Sequence, residues 1–207
     1  MKRLLPLFCL AFLLAVPSFA QEQDEPEDDT AYSFDLNQKG DQYIRISLGA
    51  SFPLNFNLSG NFLDLFIKNK HQLSTGGMGT LGYHYFLTPY LAVGGDAGFG
   101  FNVTIGSNIL TYVPLMVSVT YQPTYRRFEF PITVGIGMVW ETYANYNYFP
   151  GLVIKPEAGI HYRLSPSWSV GGELSWMYMP QFAYHKNVSE TYHGQFFTVV
   201  ASARYYF

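Results

Sequence analysis

Charged residues are scarce in this sequence. They make up 13% of its 207 residues, whereas soluble globular chains contain roughly 25%. The formal net charge is −3, and no basic cluster exceeds the pair Arg126 and Arg127, so we expect no nucleic-acid partner. Hydrophobic residues reach 48% and aromatic residues 18%, which excludes an intrinsically disordered chain.

Cysteine is almost absent as well. The single cysteine, Cys9, lies inside the apolar run of residues 4–16, which is shorter than the roughly 20 residues of a transmembrane helix. The basic start MKR and the small-x-small sequence SFA flank this run, as in a secretory signal peptide cleaved after Ala20. Removal of residues 1–20 would leave no cysteine, which excludes disulfides, thiol catalysis and cysteine-ligated metals.

Apolar runs of helical, membrane-spanning length are missing from the rest of the chain. The mean hydropathy of +0.04 is also too low for a bundle of membrane helices. Residues 21–30 carry six acidic residues and no basic one, which is typical of a solvated, disordered tail. Docking of a cationic partner is the alternative role for this segment.

Alternation of apolar and polar residues dominates the remaining sequence. In residues 42–54, for example, Ile44, Ile46 and Leu48 alternate with Arg45 and Ser47. A period of two residues is typical of β-strands. The pattern recurs in seven further segments: residues 72–86, 91–103, 110–121, 128–140, 152–164, 168–179 and 197–207. The sequence therefore predicts eight strands.

The connections between these strands alternate in length. Short turns are predicted at residues 87–90, 122–127 and 165–167, and long links at residues 55–71, 102–109, 142–151 and 180–194. Short turns at one rim and long loops at the other are typical of transmembrane β-barrels.

The composition of the two strand faces favours a membrane barrel over a soluble one. One face is bulky and aromatic, whereas the other carries glycine, serine, threonine and charges. The interior of an eight-stranded barrel is just wide enough for side chains, so large aromatics at most inward positions would overpack it. We therefore predict an all-β fold, an eight-stranded antiparallel up-and-down transmembrane β-barrel with its bulky face in lipid. A soluble, lipocalin-like barrel is the alternative.

Several strand segments resemble those of a known family. QYIRISLGASFPL, YHYFLTPYLAVGG, FPITVGIGMVW and ARYYF are similar to strands of eight-stranded bacterial outer-membrane barrels of the OmpW, OmpX and OmpA-domain type, OmpW most of all. The closing alternation with Tyr205 and Phe207 resembles the signal read by the barrel-assembly machinery. The resemblance implies a place in the bacterial outer membrane and contact with its lipid. We assign residues 21–41 to an acidic periplasmic tail and residues 42–207 to the barrel.

The inward face carries charges of both signs. Unpaired charges in a narrow lumen are costly, so we expect them to pair. The predicted lumen ion network consists of Arg45, Asp96, Glu129, Glu157, His161, Arg163, Glu173 and Arg204. In particular, we expect Glu173 to lie within reach of Arg204 and His161. Such a network serves either as a structural plug or as the lining of a polar conduit or gated pore.

Catalytic and metal-binding patterns are weak. Ser175, His161 and Glu173 fall on neighbouring strands, but a serine and a carboxylate two residues apart on an inner face are ordinary lumen filling. We therefore predict no enzyme. The five histidines lack metal-ligand spacing, and neither a phosphate loop nor a dinucleotide fingerprint is present, so we predict no metal and no cofactor.

Two functions remain open at this point. The resemblance to OmpW implies a narrow passive channel for small, often hydrophobic, solutes. However, the motif of aspartate and Pro-Trp that precedes the last strand in that family is replaced here by PQFAYHKNVSETYHG. The alternative is a surface structural or adhesin-like barrel with a plugged lumen, which binds a host or surface ligand through its long extracellular loops.

Overall fold

The computed structural model of the protein describes residues 37–54, 73–103, 109–143, 146–181 and 192–207. The predicted signal peptide and the acidic run of residues 21–30 lie outside the described residues, and both stay predictions. Within the described part of the chain, no helix is long and apolar enough to span a membrane.

Eight long strands and two strands of two residues form one antiparallel sheet. In chain order they are β1 (Gln42–Pro53), β2 (Gly76–Thr88), β3 (Leu91–Val103), β4 (Ile109–Tyr121), β5 (Thr124–Tyr125), β6 (Phe128–Glu129), β7 (Ile132–Tyr143), β8 (Tyr146–Ser165), β9 (Trp168–Gln181) and β10 (Tyr192–Tyr206). The pairings of β1 with β10 and of β8 with β9 close the sheet into a ring. The predicted eight-stranded antiparallel barrel is confirmed.

The fifth strand of the barrel consists of two pieces, β6 and β7. Phe128 in β6 pairs with Tyr162 of β8, and Ile132 in β7 pairs with Ala158 of the same strand. The step of four residues from Phe128 to Ile132 matches the step of four residues from Tyr162 back to Ala158 on β8. β6 and β7 therefore pair with β8 in one continuous register. Pro131 interrupts the ladder because it has no N–H to donate, although its carbonyl accepts a hydrogen bond from β8 at 2.9 Å. β6 and β7 therefore act as one barrel strand, which begins where the sequence predicts.

The predicted long link at residues 142–151 is wrong. β7 continues to Tyr143 and β8 begins at Tyr146, and these two tyrosines pair across the hairpin. Asparagine, proline and glycine in this stretch are typical of loops. Its threonine and tyrosines favour strands, however, and pairing with a neighbouring strand decides the outcome. The other three long links connect β1 to β2, β3 to β4, and β9 to β10 at the same rim, which we call the long-loop end; the opposite rim is the short-turn end.

The two faces of the sheet differ as the sequence predicts. Outward side chains are apolar and exposed, with Leu48 and Val117 each at 67% of their full accessible surface. Inward side chains are mostly polar or charged and buried, with Arg45 at 2% and Arg204 at 1%. An apolar exterior around a polar interior is the arrangement of a transmembrane barrel and the reverse of a soluble one.

Aromatic side chains cluster on the outside of the barrel at the short-turn end. The ring centroids of Trp168 and Tyr205 are 5.1 Å apart, and those of Phe128 and Tyr162 are 5.3 Å apart. Tyr205 also stacks on Phe207 at 6.0 Å. The amphipathic rings of Tyr162, Trp168 and Tyr205 favour the boundary between hydrocarbon and headgroups, so this rim is suited to a membrane interface.

The segment before β1 contacts the barrel. Asn37 is 2% exposed, and its side-chain oxygen accepts a hydrogen bond from Arg163 at 3.1 Å. The backbone N–H of Gly40 donates to the carbonyl of Phe86 at 2.9 Å. Asn37 and Gly40 therefore contact the barrel at its short-turn mouth, and the predicted boundary between tail and barrel at residue 42 stays a prediction.

Candidate functional site

Side chains fill the lumen at three heights. The short-turn cluster consists of Tyr43, Phe86, Ala92 and Tyr206. The charged layer above it consists of Arg45, His84, Asp96, Glu129, Lys155, Glu157, His161, Arg163, Glu173 and Arg204, each at most 6% exposed. The methionine cluster toward the long-loop end consists of Met78, Tyr112, Met116, Val139, Val153, Met177, Met179 and Phe196.

Arg45 reaches across the lumen from β1. Its guanidinium contacts Asp96 of β3 at 2.7 Å, Glu173 of β9 at 3.3 Å, and Glu157 of β8. β3 and β8 are reached in opposite directions around the ring from β1, so this one side chain bridges the interior. A guanidinium suits the role because it offers five N–H donors in a planar fork, whereas lysine offers a single charged point.

Glu173 joins several parts of the charged layer. It accepts a hydrogen bond from Arg204 Nη2 at 2.9 Å and lies 3.3 Å from His161 Nε2. The structure thus brings together the three residues that the sequence analysis grouped. Arg204 also donates to the side-chain oxygen of Gln122 at 2.7 Å and lies 5.1 Å from the ring centroid of Tyr43. These contacts link the charged layer to the short-turn cluster below it.

Arg163 and Glu129 form a second ion pair nearer the short-turn end. Their closest charged atoms are 2.9 Å apart. The guanidinium carbon of Arg163 lies 3.5 Å from the ring centroid of Tyr206, a cation–π contact, and the hydroxyl of Tyr206 donates to Glu129 at 2.8 Å. Because Tyr206 contacts both Arg163 and Glu129, it holds this ion pair against the short-turn cluster.

Asp96 is held from two further sides. His84 Nε2 lies 3.2 Å from its Oδ1, and the hydroxyl of Ser118 donates to its Oδ2 at 2.6 Å. The imidazole of His84 stacks on Tyr43 at 4.6 Å with an interplanar angle of 3°. Buried charges with several fixed partners of this kind resist rearrangement.

The residues predicted for the lumen network all face the interior. The structure also places between them buried polar groups outside the predicted network, namely Tyr43, His84, Gln122, Lys155 and Tyr206. Strand alternation places both tyrosines on the inner face and could have found them.

Inner-face glycines complete the packing of the lumen. A Cβ atom on Gly100 would lie 2.1 Å from Cε2 of Tyr112, and one on Gly171 would lie 2.7 Å from Cγ of His161. Real Cβ contacts are longer than this, so these glycines provide the volume that large side chains of the neighbouring strands occupy. Small residues on the inner face therefore belong to a close-packed interior.

The structure adds nothing to the weak catalytic and metal patterns. The hydroxyl of Ser175 lies 2.5 Å from that of Thr198, and the ion-pair contact of His161 is with Glu173. Among the described residues, no group of three or more histidine, cysteine, aspartate or glutamate side chains could hold a metal ion.

Known proteins share this architecture. A protein-family model matches residues 21–205. An uncharacterized protein of Treponema pallidum (strain Nichols) is 34% identical over 150 residues, which cover 70% of this chain and 68% of that protein. The neisserial surface protein NspA has a TM-score of 0.61 at 10% identity, covering 80% of this chain and 98% of NspA.

A second solved structure is Ail, the attachment invasion locus protein of Yersinia pestis, in complex with the heparin analogue sucrose octasulfate. It has a TM-score of 0.50 at 13% identity, covering 82% of this chain and 100% of Ail. At such low identities, NspA and Ail show that the fold is shared.

Proposed function

The chain belongs to the family of its Treponema pallidum relative and has the fold of the eight-stranded bacterial outer-membrane β-barrel proteins, and from this premise we propose that it is a closed barrel in the outer membrane that displays its long-loop end at the cell surface. In this proposal residues 1–20 direct export and are removed, and the acidic segment lies in the periplasm. The short-turn end faces the periplasm and the long-loop end faces outward, as in bacterial barrels generally. Lipid covers the apolar exterior.

The filled lumen is the observation that carries the proposal. Large side chains at all three heights are completely or almost completely buried, including Phe86 at 0%, Arg204 at 1% and Met177 at 0% exposure. A conduit would need a continuous path for at least a water molecule. Opening one through this interior requires the simultaneous displacement of two apolar clusters and a network of ion pairs, which is costly in a close-packed core.

The surface role draws support from the structural neighbours. NspA is described as a surface protein, and Ail as an attachment and invasion protein that was solved with a heparin analogue. The same barrel fold therefore occurs in proteins whose described roles concern the cell surface. By this reasoning, the activity of the present chain resides in the loops at its long-loop end.

Conductance of the refolded protein in planar lipid bilayers tests the proposal. We expect no conductance steps from the wild-type protein under conditions in which a general porin, inserted in the same way, gives clear steps. Steady steps from the wild type would overturn the closed-barrel proposal and favour the narrow channel.

The double variant Arg45→Ala/Glu157→Ala is the matched control. It removes the side chains that bridge the lumen and keeps positive and negative charges in the charged layer in balance. New conductance in this variant would show that the charged layer closes the lumen of the wild-type protein. A variant that stays silent would show that the two apolar clusters are sufficient to close the lumen, and either result agrees with a closed wild type.

A further inference from the structure

Glu141 is a buried carboxylate at the long-loop end of the lumen. It lies on β7, is 4% exposed, and pairs across the sheet with Tyr112 of β4. Among the described residues, no side chain forms an ion pair or hydrogen bond with its carboxylate. The other four lumen carboxylates each have a cationic partner at 2.6–2.9 Å. An ionised group that is buried without a partner is strongly destabilising.

Tyr112, the neighbour of Glu141 on β4, is turned toward other residues. Its hydroxyl lies 2.7 Å from the hydroxyl of Ser51, and its ring covers Gly100 on the side away from Glu141. The same ring lies 5.1 Å from that of Phe196. The tyrosine therefore supplies an aromatic wall and leaves the carboxylate without a donor.

A count of lumen charges shows that Glu141 is in excess. The charged layer contains four permanent cations and four carboxylates: Arg45, Lys155, Arg163 and Arg204, with Asp96, Glu129, Glu157 and Glu173. These groups pair with one another. Within the described lumen, no permanent cation is left over to pair with an ionised Glu141.

The surroundings of Glu141 indicate what kind of cation would fit. Tyr112, the cross-strand neighbour of Glu141, belongs to the methionine cluster, which also contains four thioether side chains and the ring of Phe196. Methionine is unbranched and adapts its shape to an incoming apolar group. Aromatic faces attract ammonium groups through cation–π interactions. A carboxylate in such a setting is complementary to an ammonium group that carries an apolar body.

We propose that Glu141 and the methionine cluster form a binding site for a small organic cation, an aryl- or alkylammonium, which enters from the long-loop end and stops above the charged layer. The ammonium group pairs with the carboxylate, and the apolar body displaces methionine side chains. The site does not depend on the proposed function, because a conducting barrel would also present it.

Methionine methyl groups report on this site directly. The full chain, labelled with carbon-13 at the methionine methyl carbons and refolded into lipid nanodiscs, is titrated with 2-phenylethylammonium and followed by NMR. We expect saturable shifts of the signals from Met78, Met116, Met177 and Met179. Met138, which lies on β7 but is 52% exposed on the outer face, is the internal control and should not shift saturably.

A neutral ligand of the same shape and a charge-neutral variant separate ion pairing from partitioning into an apolar interior. We expect no saturation with 2-phenylethanol, and binding of the ammonium weakened more than about tenfold in Glu141→Gln. Equal shifts with the alcohol, no saturable shifts in the wild type, or undiminished binding by Glu141→Gln would each overturn the proposal.

Thermal unfolding of Glu141→Gln provides a second measurement. Without ligand, this variant should unfold at the same or a higher temperature than the wild type, because it removes a buried charge that has no partner. A lower unfolding temperature would show that Glu141 already has a cationic partner within the chain, and it would also overturn the proposal.

Discussion

Replacement of Arg45 by methionine tests whether the ion network stabilises the barrel. The substitution keeps an unbranched apolar stem of similar reach and removes the guanidinium that contacts Asp96, Glu157 and Glu173. The four cations of the charged layer become three, facing four carboxylates. Loss of one partner from a buried ion pair typically costs about 3–5 kcal/mol.

The remaining contacts place Arg45→Met at the lower end of that range. Glu157 keeps Lys155 at 2.6 Å, and Glu173 keeps Arg204 at 2.9 Å. We therefore expect the free energy of unfolding to fall by about 3 kcal/mol. The measurement is reversible urea unfolding of the protein in phospholipid vesicles, followed by tryptophan fluorescence.

A second substitution distinguishes charge imbalance from loss of packing. In Arg45→Met the carboxylate that loses its guanidinium is Asp96, because Glu157 and Glu173 keep Lys155 and Arg204. Addition of Asp96→Asn restores equal numbers of positive and negative charges and removes that unpaired carboxylate, so we expect it to recover about 1–2 kcal/mol. Ile46→Met, on the lipid-facing side of the same strand, is the matched control and should cost less than about 1.5 kcal/mol. If the losses from Arg45→Met and Asp96→Asn simply add, the network does not act through charge pairing and the reasoning is refuted.

Two further predictions concern the packing of the lumen and the orientation of the barrel. Gly100→Ala should lower the free energy of unfolding by about 1–3 kcal/mol, because the new methyl group meets a buried tyrosine ring. Gly172→Ala, whose Cβ would find its nearest neighbour at 3.7 Å, should change it by less than about 0.5 kcal/mol, and equal effects would contradict the packing described for the inner face. On intact cells, trypsin should cleave after Lys186, which lies in a predicted extracellular loop, and spare Arg126 at the short-turn end; the reverse pattern would invert the proposed orientation.

Strand positions and faces could be predicted because they depend on local pattern. A lipid-facing residue and a lumen-facing residue alternate along each strand, and their chemistry differs strongly, as for Ile46 and Arg45. The failure at residues 142–151 has the same origin. There the local composition favours a loop, whereas pairing between neighbouring strands extends the hairpin.

The pairing of individual charges could not be read from alternation alone. Arg45 and Glu157 are 112 residues apart in sequence, and their contact depends on the closure and stagger of the whole barrel. The expected group of Glu173, Arg204 and His161 was easier to anticipate. These residues lie on three consecutive strands, and short turns fix the relative heights of β8 and β9.

Glu141 differs from the carboxylates of the charged layer because a buried charge without a partner of opposite sign is strongly destabilising. In the charged layer each carboxylate has a fixed cation, so its ionisation strengthens the closed state and leaves little affinity for added ions. Glu141 lacks such a partner among the described residues and lies beside Tyr112 of the methionine cluster, so its ionisation favours any cation that reaches it. Substitutions in the charged layer should therefore alter stability, whereas Glu141→Gln should alter binding with little loss of stability. An outcome in which both kinds of change affect only stability would assign the whole lumen a structural role.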